Sequence, residues 1–241
     1  PYVFGSYQWV GVEHRGEAAW PRVCSASGAL DLFLQKKGAF YQNKSHWTAE
    51  PMAHIVPHWN FKGLEGKEIP VTVYTNCEEL ELFLNGASLG RKPIEAYGHG
   101  EWRVKYAAGT LEVIGYNGKK AVCGDKRITT GKPVALALTK DNAFAAGGSD
   151  IALFTCTCVD ENGLFVPDAA EYVRFSVSSP AKIIGTGSDN CDHHNAANTE
   201  RKMYMGKIRI AVKPQKGQEC FTLTAVGDTC GAAAIEVTMP V

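Results

Sequence analysis

Apolar and polar residues alternate along most of this chain, and turn-forming pairs break the alternation at short intervals. In IPVTVYTN, Val71, Val73 and Thr75 fall on one side, and in ELELFLNG so do Leu80, Leu82 and Leu84. A period of two is that of a strand with one buried face. Asn85-Gly86 and Asn117-Gly118 are hairpin signals between such runs. GEWRVKY, GTLEVIGYNGKKAV and DKRITT continue the pattern, and short strands at this spacing predict a sandwich. A second series starts at GKPVALALTK. It runs through DIALFTCTCV, EYVRFSVSS, AKIIGTGS, GKIRIAVKP and CFTLTAVG to AAIEVTMP, about the ~100 residues of one immunoglobulin-like sandwich. Phe154, Cys156, Cys158, Val173, Phe175 and Val177 are its predicted core.

The first fifty residues differ. YVFGSYQWVGV, residues 2–12, is rich in aromatics and valine and reads as a buried strand. A loop follows, and then ALDLFLQKKGAFYQNKSHW has helix-like spacing at Leu30, Phe33, Leu34 and Ala39–Tyr41, with Gly38 as a weak spot. Strand, long loop and helix make one βα unit of a barrel or parallel sheet. The predicted fold is mainly β: two tandem immunoglobulin-like β-sandwiches (54–131 and 132–241) preceded by the last βα unit of a TIM barrel (1–53).

Composition narrows the function. The 241 residues are 45% hydrophobic and 21% charged, and 25 basic side chains balance 25 acidic ones. This neutrality gives no electrostatic footprint for nucleic acid or an anionic membrane. No apolar run approaches the ~20 residues that span a bilayer. None of the eight cysteines stands in a C-x-x-C or zinc spacing. Cys156 and Cys158 share one strand face, ~6.6 Å apart along one chain, a poor geometry for a bridge. The expectation is reduced thiols acting as small core hydrophobes, which leans towards the cytoplasm.

Candidate chemistry is concentrated at the start, in Trp9, Gly11, Glu13, His14, Arg15, Gly16, Glu17 and Trp20-Pro21. This run resembles the end of the catalytic barrel in the β-galactosidase branch of glycoside hydrolase family 2. There the last strand carries a tryptophan and enters a G-x-[DE]-[YH]-x-G-E loop. The family's GxxDxxxxxKxxFYxxxSxW is matched by Gly28, Asp31, Lys37, Phe40, Tyr41, Ser45 and Trp47. PHWNFKGLEGKEIPVTVYTNCEELELFLNGASLG resembles the β domain that follows the barrel, and the stretch from GSDIALF to IIGTGSDN resembles the last immunoglobulin-like domain. The resemblance covers essentially the whole chain and implies the C-terminal part of such an enzyme.

It also implies hydrolysis of terminal β-galactosides with retention, through two glutamates and no required cofactor or metal, although some relatives use cations. One glutamate belongs to an Asn-Glu pair, which this sequence does not contain. Both are expected upstream of residue 1, so the chain alone is expected to be inactive and to hold no catalytic residue. Glu13 and Glu17 are not expected to replace them, because a retaining pair stands ~5–5.5 Å apart across a sugar. By resemblance Trp9 lines the subsite of the cleaved residue, against plain barrel packing. Glu13, His14 and Arg15 rim the same pocket, or belong to a solvated loop. Glu17 is expected beside Arg15 or Arg22, and Trp20, Trp47 and Trp59 between the barrel's end and the first sandwich. A related β-glucuronidase or β-mannosidase is a further reading of the parent.

Other features carry less. His54 and His58 have a zinc-helix spacing, but Pro57 between them disfavours the helix. GTGSDNCDHHN gathers Asp189, Asp192, His193 and His194 in a polar turn. The sandwiches are expected to brace the barrel, shape the edge of the site or contact a sister subunit in a homo-oligomer. The rival reading is a carbohydrate-binding module using Tyr97, Trp102 and Tyr116, or Tyr172 and Tyr204, and a third is pure scaffold. Without its barrel, the stretch up to about residue 25 is expected to be displaced or packed on another copy.

Overall fold

The computed structural model describes residues 2, 5, 7–143, 151–189 and 191–239. Among them are one helix and fifteen strands, every strand pair antiparallel. The chain divides into two compact units. The first holds residues 1–13 and 26–129, the second 14–25 and 130–241.

The first unit contains a sheet of β1 (Ala53–Val56), β2 (Glu68–Thr75) and β5 (His99–Lys105), and another of β4 (Ala87–Pro93), β3 (Glu79–Leu84), β6 (Thr110–Asn117) and β7 (Lys120–Ile128). The period-two positions face inward as expected: Val71, Val73, Leu80, Leu82, Leu111 and Val113 form a core with Ile55, Trp59 and Trp102. Asn85 and Gly86 both take positive φ, 51° and 81°, as the two-residue β3–β4 hairpin requires. The β6–β7 turn sits one residue later than its Asn-Gly signal, at Gly118 and Lys119, because a bulge shifts the register between Gly115 and Tyr116.

Polar groups join the two sheets at one edge. Asp125 accepts a hydrogen bond from the Ile55 amide (2.8 Å), and Arg127 donates to the Ile55 carbonyl (2.7 Å) and to Asp125 (2.8 Å). His54 packs against this pair, with Nδ1 3.2 Å from the guanidinium, and its ring stacks on Tyr41 at 3.2 Å and 8°. Burial, then the Arg127 charge, bring the imidazole down to about 4, although Asp125 opposes the shift.

The helix α1 (Gly38–Trp47) is shorter than its pattern. Asp31 Oδ1 accepts from the amides of Phe33 and Gln35 (both 2.8 Å), and Leu34 takes φ 61°. A carboxylate offering the backbone this local alternative competes with helix formation, so residues 30–36 are a turn and the helix begins at the weak spot itself. Residues 7–12 do not form the expected strand, and Val3, Phe4 and Ser6 lie outside the described residues. A strand is held by hydrogen bonds to a neighbour; here Val12 bridges Leu30 and Gln8 accepts from the Asn43 side chain, which makes no ladder.

The second unit contains a sheet of β12 (Glu200–Lys202), β10 (Tyr172–Val177), β14 (Cys220–Gly227) and β15 (Ala232–Thr238), and one of β11 (Lys182–Gly187), β13 (Lys207–Lys213), β9 (Ala152–Val159) and β8 (Ala135–Lys140). Phe154, Cys156, Cys158, Val173 and Phe175 are buried as expected, and Val177 packs against them. Phe154 and Phe221, one from each sheet, meet edge to face at 6.1 Å. The core thiols are closed from solvent, and burial pushes Cys156 up to about 12.

Candidate functional site

Residues 10–13 are anchored rather than displaced, against the sequence expectation. The amides of Ala29 and Leu30 donate to the carbonyls of Val10 and Gly11 (3.1 and 2.9 Å), and the Glu13 amide donates to Leu30 (2.9 Å). This arrangement fixes Glu13. Its side chain is 2% exposed and takes a hydrogen bond from Lys37 Nζ, which also donates to the Ala26 carbonyl at 3.0 Å. Glu13 therefore lies in neither a solvated loop nor an open rim: a buried carboxylate needs a cation, and Lys37 supplies it.

Gly28 makes the burial sterically feasible. A Cβ there would lie 2.4 Å from both the Glu13 amide nitrogen and the Leu30 oxygen. The matched motif residues thus have local tasks. Gly28 gives room, Asp31 turns the chain, Lys37 neutralises Glu13, and Tyr41 docks α1 on His54. Periodicity carries no sign of the pairing of Lys37 with Glu13; the place of Lys37 in the motif was the available signal.

The other named residues sit differently. Trp9, in the first unit, is 68% exposed. His14 and Arg15 belong to the second unit, where residues 15–24 double back through a bridge between Arg15 and Cys24. His14 Nε2 stands 3.3 Å from Glu17, and its Nδ1 is 3.3 Å from Ser25 Oγ. Glu17 is thus beside His14 rather than Arg15 or Arg22, across a tight turn in which Gly16 and Glu17 take positive φ, 90° and 48°. Arg15 is exposed. Glu13 is buried and paired with Lys37, whereas Glu17 is solvent-exposed beside His14.

Two of the tryptophans also depart from expectation. Trp59 is fully buried and donates from Nε1 to the Ala107 carbonyl at 3.0 Å. Trp20 is 83% exposed and Trp47 77%. Trp20 closes the 15–24 excursion and leans on His193 in the polar turn, ring centroids 4.7 Å apart, while His193 Nε2 is 2.7 Å from the Pro21 carbonyl. In that turn Asp192 is committed to Arg201 (2.9 Å) and His194 (2.9 Å). His54 and His58 are engaged separately, His58 stacking on Phe61 at 4.9 Å. No group of three or more His, Cys, Asp or Glu among the described residues is arranged to hold a metal ion. Among the described residues no helix is long and apolar enough to cross a membrane.

The chain thus joins two antiparallel two-sheet units and a tryptophan-bearing segment that buries a glutamate, and comparison with known proteins supplies the family. Residues 136–236 match Glycoside hydrolase family 2 C-terminal domain 5, and residues 66–123 match a domain of unknown function, DUF4982. A β-galactosidase of Bacteroides ovatus is 33% identical over 98% of this chain and 28% of its own length. A putative β-glucuronidase of Formosa agariphila is 32% identical over 95% of the chain and 24% of its own. Among solved structures, a β-glycosidase from Bacteroides vulgatus superposes with a TM-score of 0.89 at 31% identity, covering 95% of this chain and 30% of that one. A family 2 member from Bacteroides cellulosilyticus gives 0.90 at 28% identity, over 95% and 35%. The chain corresponds to the C-terminal region of glycoside hydrolase family 2 enzymes, spanning about a quarter to a third of the length of these relatives.

Proposed function

We propose that the chain is the C-terminal, non-catalytic region of a retaining glycosidase that cleaves terminal β-galactosides. Residues 1–53 then end its catalytic barrel, 54–131 and 132–241 are bracing sandwiches, and Trp9 is the aromatic wall of the sugar subsite. Supporting this reading is the contrast between Trp9, 68% exposed, and Glu13, fixed in the fold four residues on. An open indole next to backbone anchored at residues 10–13 suits stacking on the apolar face of a sugar. His14 and Arg15 belong to the edge of the site, and Glu13 acts as a positioning residue.

The test is hydrolysis of chromogenic β-galactoside and β-glucuronide by the whole enzyme and by the 241-residue chain. The whole enzyme should prefer the galactoside and the chain should cleave neither. Trp9→Ala in the whole enzyme should lower kcat/KM about 10- to 100-fold, a loss of about 1.4–2.7 kcal/mol of transition-state binding, with an unchanged melting temperature. A preference for the glucuronide overturns the sugar assignment. Cleavage by the chain alone overturns the non-catalytic one.

A carbohydrate-binding module is favoured by one observation. Tyr97 is 79% exposed at φ 63°, beside a cleft of about 510 Å³ that His46, Asn76, Glu78 and Glu95 also line. The other candidates are less open. Trp102 is buried, with Lys92 Nζ 4.7 Å over its ring, and the Arg91 and Arg174 guanidinium groups cover Tyr116 and Tyr172 at 3.8 and 5.2 Å. Tyr204 remains 51% exposed. Titration of the chain with galactosides, read at the Tyr97 resonances, distinguishes module from scaffold.

A further inference from the structure

We propose that Cys77 and Cys123 are a redox pair of the first sandwich, closing into a disulfide by exchange with a small-molecule disulfide of the glutathione class. Their sulfurs stand 3.3 Å apart although 46 residues separate them in sequence. A bond at ~2.05 Å needs them about 1.2 Å closer, within reach of small side-chain rotations. The backbone has been cleared for this contact. Gly115 on β6 pairs with Cys123 on β7, and a Cβ at Gly115 would lie 2.7 Å from Cys123 Sγ and 2.8 Å from Cys77 Sγ. Any other residue there would thrust a side chain against both sulfurs. Cys77 is held from the other side, its amide donating to Thr75 Oγ1 (3.0 Å), whose hydroxyl donates to the Met52 carbonyl (2.7 Å).

Access separates this pair from the other cysteines. Cys77 is 4% exposed but its neighbour Cys123 is only half-buried. Another close pair, Cys158 and Cys230 at 3.9 Å, is sealed inside the second core. Cys191 and Cys220 are exposed.

The Cys123 thiolate attacks one sulfur of the small disulfide, forming a mixed disulfide and releasing one small thiolate. The Cys77 thiolate then attacks Cys123 Sγ and expels the second. The protein loses two protons and two electrons, and the small disulfide is reduced to two thiols. Burial, together with the hydrogen bond to Cys77, raises the Cys123 thiol to about 12. Exchange is therefore slow at neutral pH and faster under alkaline conditions.

The test uses the 241-residue chain with Cys191→Ser and Cys220→Ser, which removes the two exposed thiols. The protein is incubated with oxidised glutathione at pH 7 and pH 9, then denatured and alkylated. Two fewer thiols should be alkylated after incubation, faster at pH 9, with a non-reducing peptide map joining Cys77 to Cys123. The melting temperature should rise by at least about 5 °C and fall back on reduction. Adding Cys123→Ala should abolish both changes, whereas Cys77→Ala should stop at the mixed disulfide on Cys123, with one thiol lost and no rise in melting temperature. Full alkylation after prolonged incubation at pH 9, or a map joining Cys158 to Cys230, overturns the proposal.

Discussion

Lys37 donates a hydrogen bond to Glu13 from 24 residues further along the chain, its own side chain 34% exposed and its partner's 2%. The carboxylate is thus committed to the protein interior while the ammonium remains at the boundary with water. Removing one partner of such a pair is costlier than removing both, because an uncompensated buried charge remains. Lys37→Met should cost about 2 kcal/mol, a value lowered by the exposure of the ammonium. Glu13→Gln should cost less, since the amide oxygen still accepts from Lys37. The double variant should be more stable than Lys37→Met alone. Denaturant unfolding of the three variants checks the order; equal losses for both single changes would remove the asymmetry.

Gly28→Ala should be among the most damaging single-methyl additions in the first unit. The atoms that its Cβ would meet at 2.4 Å are backbone, so neither can swing aside. A loss of about 2–4 kcal/mol is expected, with faster hydrogen exchange at the amides of residues 13, 29 and 30. Unchanged exchange at these amides would show that the close approach tolerates a side chain.

Asp31→Ala removes the acceptor of two amide hydrogen bonds at 2.8 Å. The turn before α1 should loosen at a cost of about 1–2 kcal/mol. Limited proteolysis should then cut between residues 31 and 37, and Asp31→Asn, which keeps one acceptor oxygen, should resist better.

His54 gives the first unit a pH dependence of definite sign. Its folded value of about 4 lies below the ordinary 6.5, through burial first and the Arg127 charge second. The folded state therefore binds the proton less well than the unfolded state. This stability is complete above pH 6.5 and is lost as pH falls towards 4, on the order of 3 kcal/mol in all. The melting temperature of His54→Gln should be less sensitive to pH across that window. Imidazole resonances should show His54 neutral at pH 5; a protonated ring at that pH would contradict the assignment.

The sheets were legible in the sequence because a strand advertises its buried face locally. Val71 and Val73, or Phe154, Cys156 and Cys158, need only alternation to be assigned to a core, and Asn85-Gly86 needs only its left-handed preference. The start of α1 was not legible, since the spacing of Leu30, Phe33 and Leu34 suits a helix and the competing Asp31 carboxylate leaves no periodic trace. The candidate site was legible as a cluster of residue types but not as geometry. Nothing within residues 5–21 shows that Glu13 will be buried against Gly28 and Lys37, whereas the exposed Trp9 remains compatible with the role that the resemblance implied. Trp20 was assigned to the wrong neighbour because an aromatic before proline indicates a turn without indicating what the turn touches.

The second unit's inclusion of residues 14–25 has a practical meaning for anyone dissecting the protein. A polypeptide starting at Thr130 would carry all eight strands of that sandwich yet lack the Trp20 ring and the Pro21 carbonyl on which His193 rests. It should fold, but its 189–198 turn would be left without that support, so a truncation at the obvious sequence boundary would misrepresent the native surface there.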